Sequence, residues 1–123
     1  MTENGFRLTR IGVVMLGVKD LARSIEFYGT RLGLALQNQI PGFAFFDGGG
    51  VTLALSEPVA RALPQGPGSS QVVFSVEHVR AAYDALRRKG VTFSDEPRNV
   101  SGPSWAANFT DPDGHHLSIF GPE

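Results

Sequence analysis

Apolar and polar residues follow two different periods along this chain, and the changes of period mark strands and helices. Residues 11–18 form an apolar, largely β-branched run, which is typical of a strand with apolar side chains on both faces. Asp20 then supplies an N-cap oxygen, and an apolar stripe with spacings of four, three and four predicts a helix that ends at Gly33. The stripe consists of Leu21, Ile25, Tyr28 and Leu32.

The same order returns in the second half of the chain. Residues 71–76 read as a strand, and a helix is predicted to open at Glu77 or His78 and to end at Gly90. Its apolar stripe consists of Val79, Ala82, Tyr83 and Leu86. Further strands are predicted at 34–39, 43–47, 51–55, 91–94, 105–110 and 115–120, with a turn-rich stretch at 96–104. Two βαβββ modules are therefore expected, in an α+β fold whose mixed sheets curl around a shared concavity.

This repeat organises residues 1–123 as a single domain. The first module is expected to span 9–56 and the second 70–121. Residues 57–69 between them are rich in proline and glycine, which predicts a linker with one short helical turn at 59–62.

Composition narrows the classes of partner and of chemistry. The chain has 41% hydrophobic and 19% charged residues and a net charge of −1, so neither nucleic acid nor an anionic membrane is an expected partner. It has no cysteine, which excludes thiolate metal sites and cysteine nucleophiles. The first residues contain no apolar run of signal-peptide length, and a cytoplasmic location is expected.

Three segments resemble the vicinal oxygen chelate superfamily, which contains glyoxalase I, the bleomycin-resistance proteins and the extradiol dioxygenases. They are VKDLARSIEFYGTRLGL, VEHVRAAYDALRRKGV and DPDGHHLSIF, and together they extend over about residues 11–120. The resemblance implies the curled-sheet cup of that superfamily and four symmetric metal-ligand positions. In this chain these positions are Val13, Ala54, Gln71 and Ser118.

These four residues are poor metal ligands. Val13 and Ala54 carry no lone pairs, Gln71 is a permitted but weak ligand, and Ser118 is a poor one. No metal cofactor is therefore predicted. Zinc, nickel, manganese or iron is expected only if the chain uses atypical ligands.

The pair His115-His116 is the strongest candidate for a functional group outside these four positions. Adjacent strand residues point to opposite faces, so the two imidazoles cannot chelate one ion, and His115 is expected to face outward. His116 shares the face of Ser118, which makes it a candidate ligand contact and a weak general acid–base candidate. With it, Gln71 and Ser118 are the predicted polar contacts of the cup. The predicted apolar wall consists of Val13, Met15, Phe43, Phe45, Ala54, Trp105 and Phe109.

Three functions remain open from the sequence. The first is binding of a small aromatic or apolar molecule in a metal-free cup, as the resemblance to the bleomycin-resistance proteins implies. The second is a lyase-, isomerase- or dioxygenase-like enzyme, either metal-free or with atypical ligands. The third is a non-catalytic dimerisation module. A homodimer is expected in each case, because relatives commonly build their cavities across two chains, and the pairing of the modules within or between chains is left open.

Overall fold

The first half of the chain forms a four-stranded sheet with the strand order β1-β4-β3-β2. In the computed structural model, which describes residues 10–62 and 70–123, β1 runs parallel to β4 and the other neighbours are antiparallel. The strands are β1 (Val13–Gly17), β2 (Leu36–Ile40), β3 (Phe43–Asp47) and β4 (Thr52–Ser56). Helix α1 (Leu21–Ile25) follows β1 and continues as the π-helical segment Glu26–Arg31, and α2 (Glu57–Ala62) follows β4.

The second half repeats this arrangement with the strand order β5-β8-β7-β6, in which β5 and β8 are parallel. Its elements are β5 (Val72–Ser75), α3 (Val79–Arg88), β6 (Arg98–Ser101), β7 (Ser104–Thr110) and β8 (His116–Pro122). The predicted α+β fold with a twofold βαβββ order is thereby confirmed. None of the helices described here is long and apolar enough to cross a membrane.

One strand of the second module lies where turns were predicted. The predicted strand at 91–94 contributes only an isolated bridge between Phe93 and Phe109, and β6 occupies part of the stretch 96–104 instead. The turn itself is short, because the Asn99 side chain donates hydrogen bonds to the carbonyls of Gly102 and Ser104 at 2.9 and 3.2 Å. Gly102 has a φ of 56° there, so the turn residues mark one tight hairpin between β6 and β7.

The first helix widens after one α-helical turn. The Leu32 amide donates to the Phe27 carbonyl at 2.9 Å, five residues back, so the predicted single helix is half π-helical. Both Phe27 and Tyr28 are buried, and their rings meet edge to face at 5.2 Å. The wider turn therefore directs two consecutive aromatic rings into the core.

Each sheet has one face directed to the core and covered by α1 or α3, and an opposite face, here called its open face, which in the first sheet is bordered at one end by α2. The helix-covered faces of both sheets contribute to a single core cluster. Its buried members are Val18, Leu21, Phe27, Tyr28, Ala44, Phe46, Leu53, Leu55, Val79, Val91, Ala107, Phe109, Leu117 and Ile119. Because the two modules share their helix-covered sides, their open faces point away from each other within one chain.

The turn between β7 and β8 attaches the second module to α1. The Asp113 carboxylate accepts hydrogen bonds from the Lys19 amide, the Arg23 guanidinium and the Ser24 hydroxyl, at 3.0, 3.3 and 3.3 Å. Asp111 stabilises the turn itself, since its carboxylate accepts from the amides of Asp113 and His115 at 3.0 and 2.8 Å.

A buried hydrogen-bonded triad continues this contact into the core. The Tyr28 hydroxyl donates to Asp111 at 2.8 Å, and the His115 Nδ1 donates to the same carboxylate at 2.6 Å. Burial and the nearby Asp111 raise the pKa of Tyr28. Burial alone would raise the pKa of Asp111, but the hydrogen bonds from His115 and Tyr28 outweigh it and lower that pKa. The hydrogen bond to Asp111 raises the pKa of His115 above its ordinary value, against the effect of burial.

We expect the free energy of unfolding to depend on pH through this triad. The raised pKa of His115 contributes stability below its ordinary value of 6.5, and this is lost as pH rises through the folded-state pKa. The lowered pKa of Asp111 contributes stability above its ordinary value of 3.8, and this is lost as pH falls through the folded-state pKa. The stability contributed by the pair is therefore fully present between these two pH values.

Urea unfolding from about pH 6 to 9 should show the alkaline loss of stability in the wild type and a smaller loss in His115→Gln. His116→Gln is the matched control, since His116 is exposed and outside the triad. An equal alkaline loss in His115→Gln and the wild type would contradict this assignment.

Helix α2 packs closely on the end of β1, on the open-face side of the first sheet. A Cβ atom at Gly17 would lie 2.8 Å from the Cα atom of Ala60 and 2.9 Å from its nitrogen. Gly17 shares the face of Met15, so α2 borders the open face at this end.

Gly17→Ala should destabilise the protein by about 1–3 kcal/mol, because the added methyl group overlaps the backbone of α2. Gly12→Ala is the matched control just before the same strand, since the nearest atom to its new Cβ is the Arg10 side chain at 3.8 Å. That variant should stay within about 0.5 kcal/mol of the wild type. Equilibrium denaturation of both variants measures the difference, and equal stabilities would rule out a close α2 contact.

Candidate functional site

The open face of the first sheet is apolar and partly exposed. The register sets Met15 beside Ala54, and Ala54 beside Phe45, so all three share the face opposite to the core. Val13 and Met15 are 51% and 42% exposed, although both are large apolar residues on regular strand positions. Ala54 is buried between its cross-strand neighbours. The structure therefore brings the predicted residues Val13, Met15, Phe45 and Ala54 together.

Two phenylalanines of β3 form the aromatic part of this face. The rings of Phe43 and Phe45 are nearly parallel, with an interplanar angle of 6° and centroids 6.2 Å apart. Both side chains are half-buried, and they point away from Phe46, which lies in the core. They offer flat apolar surface on the side of the sheet that α1 does not cover.

The open face of the second sheet combines polar side chains with the exposed apolar residues Val73 and Phe120. Ser118 sits between Val73 on β5 and Asn108 on β7 and is only 4% exposed. Its hydroxyl donates to the main-chain carbonyls of Ala107 and Ile119 at 3.2 Å each. The predicted polar contacts Gln71, Ser118 and His116 thus share one face, and the imidazole of His116 is exposed there.

Asn108 and Asp95 belong to this face although sequence reasoning missed them. The main-chain and side-chain nitrogens of Asn108 donate to the Asp95 carboxylate at 2.8 and 3.1 Å. The Gln71 side-chain nitrogen donates to the Asn108 side-chain oxygen at 3.1 Å. A signal was available for Asn108, since Asn108 and Thr110 alternate along β7 with the apolar residues Ala107 and Phe109.

Trp105 and Phe109 do not line the open face, which corrects their placement in the predicted apolar wall. Phe109 pairs with Leu117 and packs against Phe93 in the core, with ring centroids 5.1 Å apart. Trp105 lies against the core on the same side, and the Arg80 guanidinium carbon lies over its ring, 5.6 Å from the ring centre. The two residues share a face, as residues four apart on a strand do, but it is the helix-covered face.

The residues at the four positions implied by the resemblance do not suit a divalent metal ion. Val13 and Ala54 present hydrocarbon, the Gln71 nitrogen binds Asn108, and the Ser118 hydroxyl binds main-chain carbonyls. Val13 and Ala54 also lie on a different sheet from Gln71 and Ser118. Within residues 10–62 and 70–123, no group of three or more His, Cys, Asp or Glu side chains is placed to hold a metal ion.

Glu57 makes a structural contact between the two helices of the first module. Its carboxylate accepts a hydrogen bond from the Leu21 amide at 2.9 Å, at the N-terminus of α1. This bond joins α2 to α1 within the first module.

Known proteins similar to this chain share both its sequence pattern and its fold. YraH of Bacillus subtilis, an uncharacterized protein, is 32% identical over 87% of this chain and 94% of its own length. Metallothiol transferase FosB of Lysinibacillus sphaericus is 29% identical over 89% of this chain and 79% of its own length. The antibiotic binding protein TnmS3 from a Streptomyces species is 23% identical, with a TM-score of 0.79 over 96% of this chain and 99% of its own, which shows a shared fold.

The family comparison covers almost all of the described chain. The sequence profile of the Glyoxalase/Bleomycin resistance protein/Dioxygenase superfamily matches residues 10–119. This range contains the whole first module and the second module as far as Ile119 in β8. The chain belongs to the Glyoxalase/Bleomycin resistance protein/Dioxygenase superfamily.

Proposed function

We propose that this protein binds a small aromatic or apolar molecule on its open sheet faces without the help of a metal ion. The observation that carries the proposal is the exposed apolar surface of the first sheet, where Val13 and Met15 on β1 share a face, across β4, with the parallel rings of Phe43 and Phe45. Contiguous apolar surface of this kind marks sites of interaction in soluble proteins. A flat ligand gains both burial and ring contacts there.

A second copy of the chain completes the site in this proposal. The open faces point away from each other within one chain, so one chain does not enclose a ligand between them. Large exposed apolar residues occur on both faces, including Met15 and Ile40 on the first and Val73 and Phe120 on the second. A twofold dimer would set the first sheet of one copy against the second sheet of the other and form two equal cups.

Binding accounts for the site better than metal-dependent catalysis. The name of the relative FosB specifies a metallothiol transferase, and such chemistry needs lone pairs that Val13 and Ala54 lack. The fold neighbour TnmS3 is an antibiotic binding protein, so the same fold serves ligand binding in another protein. His116 is a proposed ligand contact at the rim of the second face.

Met15→Asp should weaken the dimer, because it sets a charge in the centre of an apolar interface. Light scattering on a size-exclusion column should give a dimer mass for the wild type and a monomer mass for this variant. Ala81→Asp adds the same charge at an exposed position of α3 and should remain dimeric. A monomeric wild type, or a dimer that tolerates Met15→Asp, would contradict the proposed assembly.

Binding of 2-naphthol, a flat uncharged aromatic probe, should depend on the phenylalanines and not on metal. In calorimetric titrations we expect Phe45→Ser to weaken the affinity about three- to tenfold, the usual worth of an aromatic pair. Leu36→Ser is the control, since Leu36 is also a large apolar strand residue with exposed surface but pairs with Phe46 on the helix-covered side. The wild-type affinity should be unchanged by a chelator. Loss of binding in the presence of the chelator would refute the metal-free proposal.

A further inference from the structure

Three side chains form a hydrogen-bonded relay across the open face of the second sheet. Asp95 accepts from the main-chain and side-chain nitrogens of Asn108 at 2.8 and 3.1 Å. Asn108 in turn accepts from the side-chain nitrogen of Gln71 at 3.1 Å. The relay therefore runs from the segment before β6, across β7 and β8, to the residue just before β5.

The direction of this relay is determined at Asp95. An ionised carboxylate has only acceptors, so Asp95 requires the nitrogen of the Asn108 carboxamide to face it. The Asn108 oxygen must then face Gln71, and Gln71 must present its own nitrogen to Asn108. The main-chain carbonyl of Leu117, 3.5 Å from the same nitrogen, imposes the same orientation on Gln71.

The free end of the relay is consequently an acceptor. Within the described residues, both hydrogen bonds of the Gln71 side chain use its nitrogen, which leaves its carboxamide oxygen for a ligand. Ser118 beneath the relay is nearly inaccessible and its hydroxyl is turned to the main chain, so it does not compete for that ligand. Gln71 itself is exposed.

The charge of the relay is balanced within the protein. The Arg98 guanidinium lies 3.2 Å from the Asp95 carboxylate, and the other members are neutral amides. An ionised ligand would lose its hydration at this face without a compensating charge, which is costly. The favoured ligand is therefore uncharged.

We propose that Gln71, oriented by Asn108 and Asp95, accepts a hydrogen bond from the O–H or N–H group at the edge of a flat, uncharged aromatic ligand. This inference rests on the proposed function, because the rings of that ligand occupy the apolar face of the facing sheet. Gln71 is the ligand contact in this arrangement. Asp95 is a positioning residue that acts through Asn108.

The test compares 2-naphthol with its methyl ether, which has the same rings but no hydrogen-bond donor. Wild-type protein should bind the naphthol about fivefold more tightly, the usual net worth of one hydrogen bond. Gln71→Leu should abolish this preference and leave the affinity for the ether within about twofold. Asp95→Asn should reduce the preference for the naphthol, although residue 95 does not contact the ligand. An amide in place of the carboxylate permits either orientation of the relay.

A second measurement uses the unaltered protein and does not depend on the folding of any variant. The side-chain amide signals of Gln71 in a nitrogen–proton correlation spectrum should shift on addition of 2-naphthol and move much less with the ether. Equal affinities of the two compounds for the wild type, or a preference that survives Gln71→Leu, would overturn this inference and leave the proposed function standing. If the wild type binds neither compound, the proposed function and this inference both fail.

Discussion

Burial of the two helix-covered sheet faces in one core determines where the remaining side chains lie. Side chains along a strand alternate between faces, so a residue adjacent to a core residue is directed to the open face. Phe46 is in the core and Phe45 is therefore open, and the same relation holds for Phe109 and Asn108. The triad of Tyr28, Asp111 and His115 holds the modules together at the edge of this core and so preserves the direction of both open faces.

The duplicated modules retain the same architecture but have diverged in chemistry at equivalent positions. The row Met15, Ala54, Phe45 of the first sheet corresponds to the row Val73, Ser118, Asn108 of the second. Both rows have a small buried residue in the middle strand. In the first sheet this residue is flanked by the apolar Met15 and Phe45, and in the second by the apolar Val73 and the hydrogen-bonded amide Asn108. A ligand held between two such faces meets aromatic surface on one side and a directional acceptor on the other.

The parts of the fold that were predicted correctly are those governed by local patterns. The apolar stripes of α1 and α3 and the paired repeat of strands followed from side-chain periodicity, and the resemblance to the superfamily was confirmed. The errors arose where tertiary contacts override local signals. Strand β6 forms among turn residues because β7 offers it a partner, and α1 becomes π-helical where both Phe27 and Tyr28 reach the core.

By itself, the sequence determined which residue types stand at the four family positions, and hence that hydrocarbon replaces lone pairs at Val13 and Ala54. It also determined that Trp105 and Phe109 share one face, since strand periodicity is local. Only the tertiary structure decided which face that is, because α3 covers the side of the second sheet that contains Phe109. The relay of Asp95, Asn108 and Gln71 likewise depends on long-range contacts, since it joins residues from three separate parts of the chain that only sheet formation brings together.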